Sequence, residues 1–82
     1  MLQIKPIGSN QTELSANGMR VLFSYQTPVA AWINGQYYKT NKKFSATTSK
    51  HINKWVHLAL EKDQYFFDNL VKQFNIEVLN EK

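Results

Sequence analysis

The 82-residue sequence contains no cysteine, three glycines and two prolines. The lack of cysteine excludes a disulfide scaffold and a cysteine-ligated zinc site. No apolar run approaches the ~20 residues that cross a bilayer, and the first residues lack the hydrophobic core of a signal peptide, so we expect a cytoplasmic protein without membrane contact. With this length and 43% hydrophobic residues, residues 1–82 are expected to form a single compact domain.

Acidic residues are absent from a long central stretch. No carboxylate lies between Glu13 and Glu61, a gap of 47 residues. Paired-carboxylate catalysis is therefore excluded there, and only histidine, tyrosine or lysine is left as a general acid or base. His51 and His57 would lie about 240° apart around a helix, which prevents them from chelating one metal ion. We therefore expect a protein that is not an enzyme, without a catalytic residue, a metal site or a cofactor.

Positive charge concentrates in the same stretch. The chain has a net charge of +4, whereas residues 39–54 contain five lysines and no acid. Lysines attract phosphates, and their binding releases counterions from nucleic acid. An ammonium group is a point charge without the bidentate geometry of arginine, so any recognition of base sequence should be weak. The five lysines are Lys39, Lys42, Lys43, Lys50 and Lys54.

Extended segments separated by turn residues fill the first half of the chain. Residues 2–7 have the composition of a strand and are followed by the turn residues 8–10. Asn-Gly pairs at 17–18 and 34–35 favour tight two-residue hairpin turns, so the segments on either side of each pair should be antiparallel partners. A further turn is expected at residues 26–28, because proline fixes φ and removes a hydrogen-bond donor.

The hairpin around residues 34–35 has a register that its two-residue turn determines. Ile33 should lie opposite Gln36, and Ala30 opposite Lys39. Side chains alternate across a sheet, so one face gathers the expected core residues while the other mixes aromatic rings with a cation. The expected core face carries Val29, Ala31, Ile33 and Tyr38, and the opposite face carries Ala30, Trp32, Tyr37 and Lys39.

Apolar residues recur at helical spacing in the second half of the chain. Thr47, Thr48 and Ser49 are N-cap candidates for a first helix, whose apolar stripe includes positions 52, 55, 56, 59 and 60. A second stripe covers positions 66–74, and a break near residues 61–63 separates the two helices. Residues 76–79 either continue the second helix or form a last strand. The predicted fold is α+β: an antiparallel meander of about four to five strands packed on one face by two C-terminal helices.

Three blocks of the sequence, in this order, resemble a family of small uncharacterised domains. They are LFSYQTPVA, YYKT and TTSKHINKW, and they lie within residues 21–55. Such domains occur in phages, plasmids and microbial genomes. The resemblance implies a compact stand-alone domain from a mobile element, and it implies no activity, because no catalytic or binding residues are assigned to the family.

Two functions are left open. The first is weakly specific binding of DNA or RNA, in which aromatic rings stack on bases while lysines and the predicted helix N-terminus contact phosphates. The second is a protein–protein interaction module that modulates a host protein without nucleic-acid contact, through Phe66, Phe67 and Phe74 or the hairpin face. The chain would then be a monomer or a homodimer. The predicted nucleic-acid-binding residues are Trp32, Tyr37, Lys39, Lys42, Lys43, Thr48, Lys50 and Lys54.

Overall fold

Six strands and two helices make up the domain. The computed structural model describes residues 3–16 and 18–80, with side chains up to position 72. The predicted α+β fold is confirmed, with one strand more than the upper expectation. No helix in this part of the chain is both long and apolar enough to cross a membrane. In chain order the elements are β1 (Gln3–Gly8), β2 (Gln11–Ala16), β3 (Met19–Ser24), β4 (Thr27–Ile33), β5 (Gln36–Thr40), α1 (Ala46–Trp55), β6 (Leu60–Lys62) and α2 (Gln64–Asn80).

The strands lie in the sheet in their sequence order. Strands β1 to β5 form an antiparallel meander, whereas β6 pairs with β5 in parallel after the crossover through α1. The predicted hairpin register is confirmed, with Ile33 opposite Gln36 and Ala30 opposite Lys39. Asn34 and Gly35 have φ angles of 50° and 85°, the two positive values that a type I′ turn requires.

The connection between β3 and β4 differs from the expected turn. Its loop consists of residues 25 and 26, because Ser24 is paired with Thr27. Pro28 therefore lies inside β4, beside a register shift that follows Leu22 on β3. A bulge tolerates a residue without an N–H group, since the ladder is already interrupted there.

The bulge also changes which residues share a face. Val29 packs with Ala30 and Leu22, whereas Ala31 belongs to a different cluster. The prediction that Val29 shares the face of Ala31, Ile33 and Tyr38 is therefore wrong, because the extra residue at the bulge breaks the alternation of side chains.

The two helices cover opposite faces of the sheet. Phe67 and Leu70 of α2 pack with Val21, and Ile52 of α1 packs with Leu22. Neighbouring residues of a strand point to opposite sides, so the expectation that both helices pack on one face is wrong. Val21 and Leu22 are adjacent and both completely buried, and a sheet that is apolar on both sides has to be covered on both sides. We call the two sides the α1 face and the α2 face.

The helix boundaries also differ from the sequence expectation. α1 begins one residue after its N-cap, Ser45, whose Oγ accepts a hydrogen bond from the N–H of Thr48 at 3.2 Å. The three predicted caps therefore lie inside the helix. α1 ends at Trp55, so positions 59 and 60 are not helical, and Leu60 instead pairs with Tyr38 in the sheet. The predicted break between two helices is confirmed, and residues 76–79 continue α2.

Candidate nucleic-acid interface

The two predicted aromatic residues lie side by side on the α1 face. Trp32 is paired with Tyr37 across β4 and β5, and both side chains are half-buried. The Tyr37 ring meets the Trp55 ring edge to face, with 5.6 Å between the centroids. This contact makes Tyr37 part of the packing between α1 and the sheet, so it does not provide an open ring on which a base can stack.

A cation covers Trp32. The guanidinium carbon of the exposed residue Arg20 lies 4.8 Å from the Trp32 ring centroid, and the two residues are direct partners across β3 and β4. Both line a shallow groove of about 340 Å³ at the end of the sheet that α1 leaves uncovered. The sequence prediction missed Arg20, because its place opposite Trp32 depends on the bulge that follows Leu22, which no turn residue indicates.

Four of the five predicted lysines are exposed. Lys42 and Lys43 lie in the connection between β5 and α1, and the Nζ atom of Lys42 is 5.3 Å from the centroid of the Phe44 ring. Lys50 and Lys54 lie on α1 one helical turn apart, which places them on the same side of the helix. We call these four residues the lysine surface.

Lys39 is in a different environment from these four lysines. Its side chain is half-buried, and its partner on β6 is Glu61. An opposite charge on a neighbouring strand lowers the local positive potential. Lys39 therefore contributes less to the attraction of phosphates than the lysine surface does.

Thr48 points towards the sheet. It is buried, and its Oγ1 lies 2.9 Å from the Oγ of Ser24. The Oγ of Ser45 is 3.4 Å away on the other side. Because these bonds occupy the hydroxyl inside the domain, Thr48 is not available to a phosphate, and we remove it from the predicted interface.

His51 belongs to the same polar network. Its Nδ1 lies 2.8 Å from the Oγ of Ser24, and its ring centroid is 6.0 Å from that of Tyr25. A serine bonded to a histidine occurs in hydrolases, but Ser24 is only 2% exposed, between the sheet and α1. A substrate cannot reach its Oγ, so this network holds α1 in place.

A second polar contact fixes the other end of α1. The indole Nε1 of Trp55 donates a hydrogen bond of 2.9 Å to the Oε1 of Glu13 on β2. Hydrogen bonds are directional, so this bond and the Ser24 network together set the rotation of the helix. They turn Lys50 and Lys54 towards solvent.

Residues 2–69 match the sequence model of DUF8033, a family of unknown function. The chain belongs to the DUF8033 family. The match includes the entire sheet, α1 and all the predicted site residues, and it confirms the resemblance to a small uncharacterised domain. No curated protein and no solved structure matches this chain.

Proposed function

We propose that this DUF8033 domain is a non-enzymatic cytoplasmic protein that binds nucleic acid through the sugar–phosphate backbone. The observation that carries the proposal is the exposure of all four residues of the lysine surface. They lie within a stretch of sequence that has no acidic residue, which favours attraction for phosphates. Lysine contacts to phosphate hold a nucleic acid without reading its sequence, so the expected sequence preference is weak.

Salt dependence is the signature of this mode of binding. Four phosphate contacts predict that affinity falls roughly 50- to 150-fold between 50 and 200 mM salt, because binding releases counterions and their release is less favourable at higher salt. We would measure this by fluorescence anisotropy of labelled single-stranded and duplex oligonucleotides at both salt concentrations. The absence of binding at 50 mM salt would contradict the proposal.

A charge-reversal pair tests the location of the interface. Lys42→Glu combined with Lys43→Glu should weaken binding to all sequences alike and lower the slope of log affinity against log salt by about 2. The matched control is Lys5→Glu combined with Lys72→Glu, which changes the net charge equally but alters exposed lysines on β1, at the far end of the strand order from β5, and on α2. Equal losses for both pairs would show that only net charge matters and would contradict a defined interface.

A protein–protein interaction is the second candidate function, and an exposed apolar patch favours it. Leu58 is 88% exposed and Leu60 is 55% exposed. Leu58 borders a groove of about 290 Å³ that Tyr37 and Trp55 also line. Within the aromatic stripe of α2, Phe67 is completely buried and cannot form part of this surface, and Phe74 lies outside the described side chains.

Gel filtration with Leu58→Ser tests this second candidate. An apolar interface would give a dimer or a partner complex that the substitution dissociates and that salt barely affects. A monomer at every concentration, whose partner binding is unchanged by Leu58→Ser, would contradict it.

We also propose that the domain comes from a phage or another mobile element. The support is the resemblance of its three sequence blocks to domains of that origin. Mobile-element genes on either side of the coding sequence are the expected finding, and a consistent setting among host housekeeping genes would contradict it.

A further inference from the structure

Two turns that are distant in sequence form a cleft beside α1. The β1–β2 turn and the β3–β4 turn enclose a volume of about 640 Å³, which lies within the range of roughly 300–1,000 Å³ typical of ligand pockets. We call it the turn cleft. Its hydrogen-bonding side chains are uncharged, and they comprise three amides and two hydroxyls besides the tyrosine. These residues are Asn10, Gln11, Gln26, Thr12, Thr27 and Tyr25.

Tyr25 is held in an unusual conformation at this cleft. Its φ angle is 58°, a left-handed value that side chains bulkier than asparagine rarely adopt. The N–H of Tyr25 donates a 2.7 Å hydrogen bond to the carbonyl of Asn10, and this bond ties the two turns together. The side chain is nevertheless 52% exposed. Backbone strain that the surrounding structure maintains is concentrated at binding sites.

The Tyr25 ring is supported by a second ring, on α1. It packs against the ring of His51, whose Nδ1 is bonded to Ser24. Because the Ser24 network is buried, the supporting imidazole has a fixed position. The tyrosine therefore presents a pre-positioned aromatic surface to the cleft, and pre-positioning reduces the entropy lost on binding.

The amide of Gln11 occupies space that a side chain at position 8 would take. A Cβ atom at Gly8 would lie 2.6 Å from Gln11 Nε2, so the amide rests against the glycine backbone. Gly8→Ala would displace the amide within the cleft at little cost, because the displaced atom ends a flexible side chain.

The turn cleft adjoins the lysine surface. Gln11 lines both the cleft and a small groove of about 180 Å³ that Lys54 also lines. His51, which supports Tyr25, follows Lys50 directly on α1. Gln11 therefore connects the turn cleft to the groove beside Lys54.

We propose that the turn cleft binds an unpaired base of a single-stranded nucleic acid, with Tyr25 stacking on the base and the amides bonding its edge. Aromatic rings and amide groups are the side chains that recognise splayed-out bases in single strands. The inference rests on the proposed function, since the phosphates of the same strand would lie on the lysine surface. Those neighbouring lysines favour a nucleic acid over a neutral oligosaccharide, which aromatic and amide groups also bind.

The test compares two strands that share a backbone and differ only in their bases. Labelled oligothymidylate and an abasic strand of the same length are titrated with the parent protein and with Tyr25→Ala at 50 mM salt. The loss of one stacked base predicts that Tyr25→Ala binds oligothymidylate about 5- to 150-fold more weakly. Affinity for the abasic strand should stay the same.

Further variants separate stacking from folding. Tyr25→Phe should keep the affinity, because the ring remains. Tyr25→Gly should lose it while the melting temperature is unchanged or raised, since glycine adopts a positive φ freely. Tyr65→Ala is the matched control, because Tyr65 is 67% exposed but lies on α2, and it should change neither affinity.

The outcomes separate failure of the proposed base site from failure of the proposed nucleic-acid binding. Parent protein that binds neither strand overturns both. Binding of oligothymidylate that Tyr25→Ala does not weaken, or equal losses on the abasic strand, overturns the base site and leaves backbone binding in place. NMR titration gives a further test with the amide resonances of Asn10, Gln11 and Gln26. Shifts with a neutral oligosaccharide, and none with oligothymidylate, would also overturn the base site.

Discussion

Both helices pack on the sheet through apolar side chains, but the hydrogen bonds of α1 to the sheet lie along the helix and at its end, whereas those of the described α2 side chains come from its first residue. On the α2 face, Phe67 packs in an entirely apolar cluster. The hydrogen bonds to the sheet on this side are made by Gln64, the first residue of the helix. On the α1 face, the Ser24 network and the Trp55–Glu13 bond lie beside the apolar cluster. Apolar burial is not directional, but hydrogen bonds are. The α2 face thus supplies stability, and the α1 face supplies orientation.

This division explains where the candidate sites lie. The lysine surface and the support of Tyr25 both depend on the rotation of α1, and the polar contacts of α1 fix that rotation. A helix held only by apolar packing could shift by a fraction of a turn with little loss of buried area. The comparison therefore predicts that variants of the α2 face mainly change stability, and that surface variants on the α1 side mainly change binding.

The largest expected effect is on the α2 face. Phe67→Ala should lower the free energy of unfolding by about 3–5 kcal/mol, through lost burial and the remaining cavity. A domain of this size has a total stability of roughly 4–12 kcal/mol, so the variant should lose a quarter or more of it. Urea and thermal denaturation measure this change. Tyr65→Ala, an exposed residue of the same helix, is the control, and a loss below about 1 kcal/mol for Phe67→Ala would contradict the division.

The next effect concerns the Ser24 network on the α1 face. Ser24→Ala should cost about 1–3 kcal/mol, because it removes the hydrogen bonds that Ser24 makes to the buried Thr48 hydroxyl and the buried His51 ring. The double variant with Thr48→Val removes both hydroxyls and should cost less than the sum of the two single changes. Chemical denaturation of all four proteins completes the cycle. Strictly additive losses would mean that the two hydroxyls do not stabilise each other.

A smaller effect is expected where α1 ends. Trp55→Phe keeps an aromatic ring against Tyr37 but removes the donor to Glu13, which should cost about 1–2 kcal/mol. Glu13→Gln retains an acceptor oxygen and should cost less. Thermal denaturation gives both values, and a larger loss for Glu13→Gln than for Trp55→Phe would contradict the assigned hydrogen bond.

The smallest change in stability is expected on the lysine surface. Lys42→Glu combined with Lys43→Glu should leave the free energy of unfolding within about 0.5 kcal/mol of the parent, because both side chains are exposed. The same variant should bind nucleic acid more weakly. If the melting temperature fell as far as for Ser24→Ala, these lysines would be part of the folded framework, and the separation of orientation from binding would fail.

The sequence predicted the local pairing better than the packing of helices. Ile33 lies opposite Gln36 as expected, because a two-residue turn leaves only one register. The placement of both helices on one face was wrong, although a signal was present. Val21 and Leu22 are consecutive apolar residues on one strand, and such runs are typical of a strand that is buried on both sides.

The candidate site was predicted only in part. Lys42 and Lys43 are exposed, as the cluster of lysines in a loop predicts. Local sequence is enough for this, because an exposed lysine needs no specific partner. The burial of Thr48 did not follow from the sequence, because its environment depends on Ser24, which is 24 residues away. The turn was expected at residues 26–28, whereas Tyr25 itself lies in the turn, and its positive φ follows from the pairing of Ser24 with Thr27 around a two-residue loop.

By itself, the sequence determined the fold class, the Asn-Gly hairpin turn at residues 34–35 and the acid-free lysine segment, because each depends on neighbouring residues and short-range geometry. The tertiary structure decided which face each helix covers, where α1 ends, and that two turns separated by a hairpin form the turn cleft. These features depend on contacts between residues far apart in the chain. Such contacts follow from how the whole sheet buries both of its faces, and no local pattern encodes them.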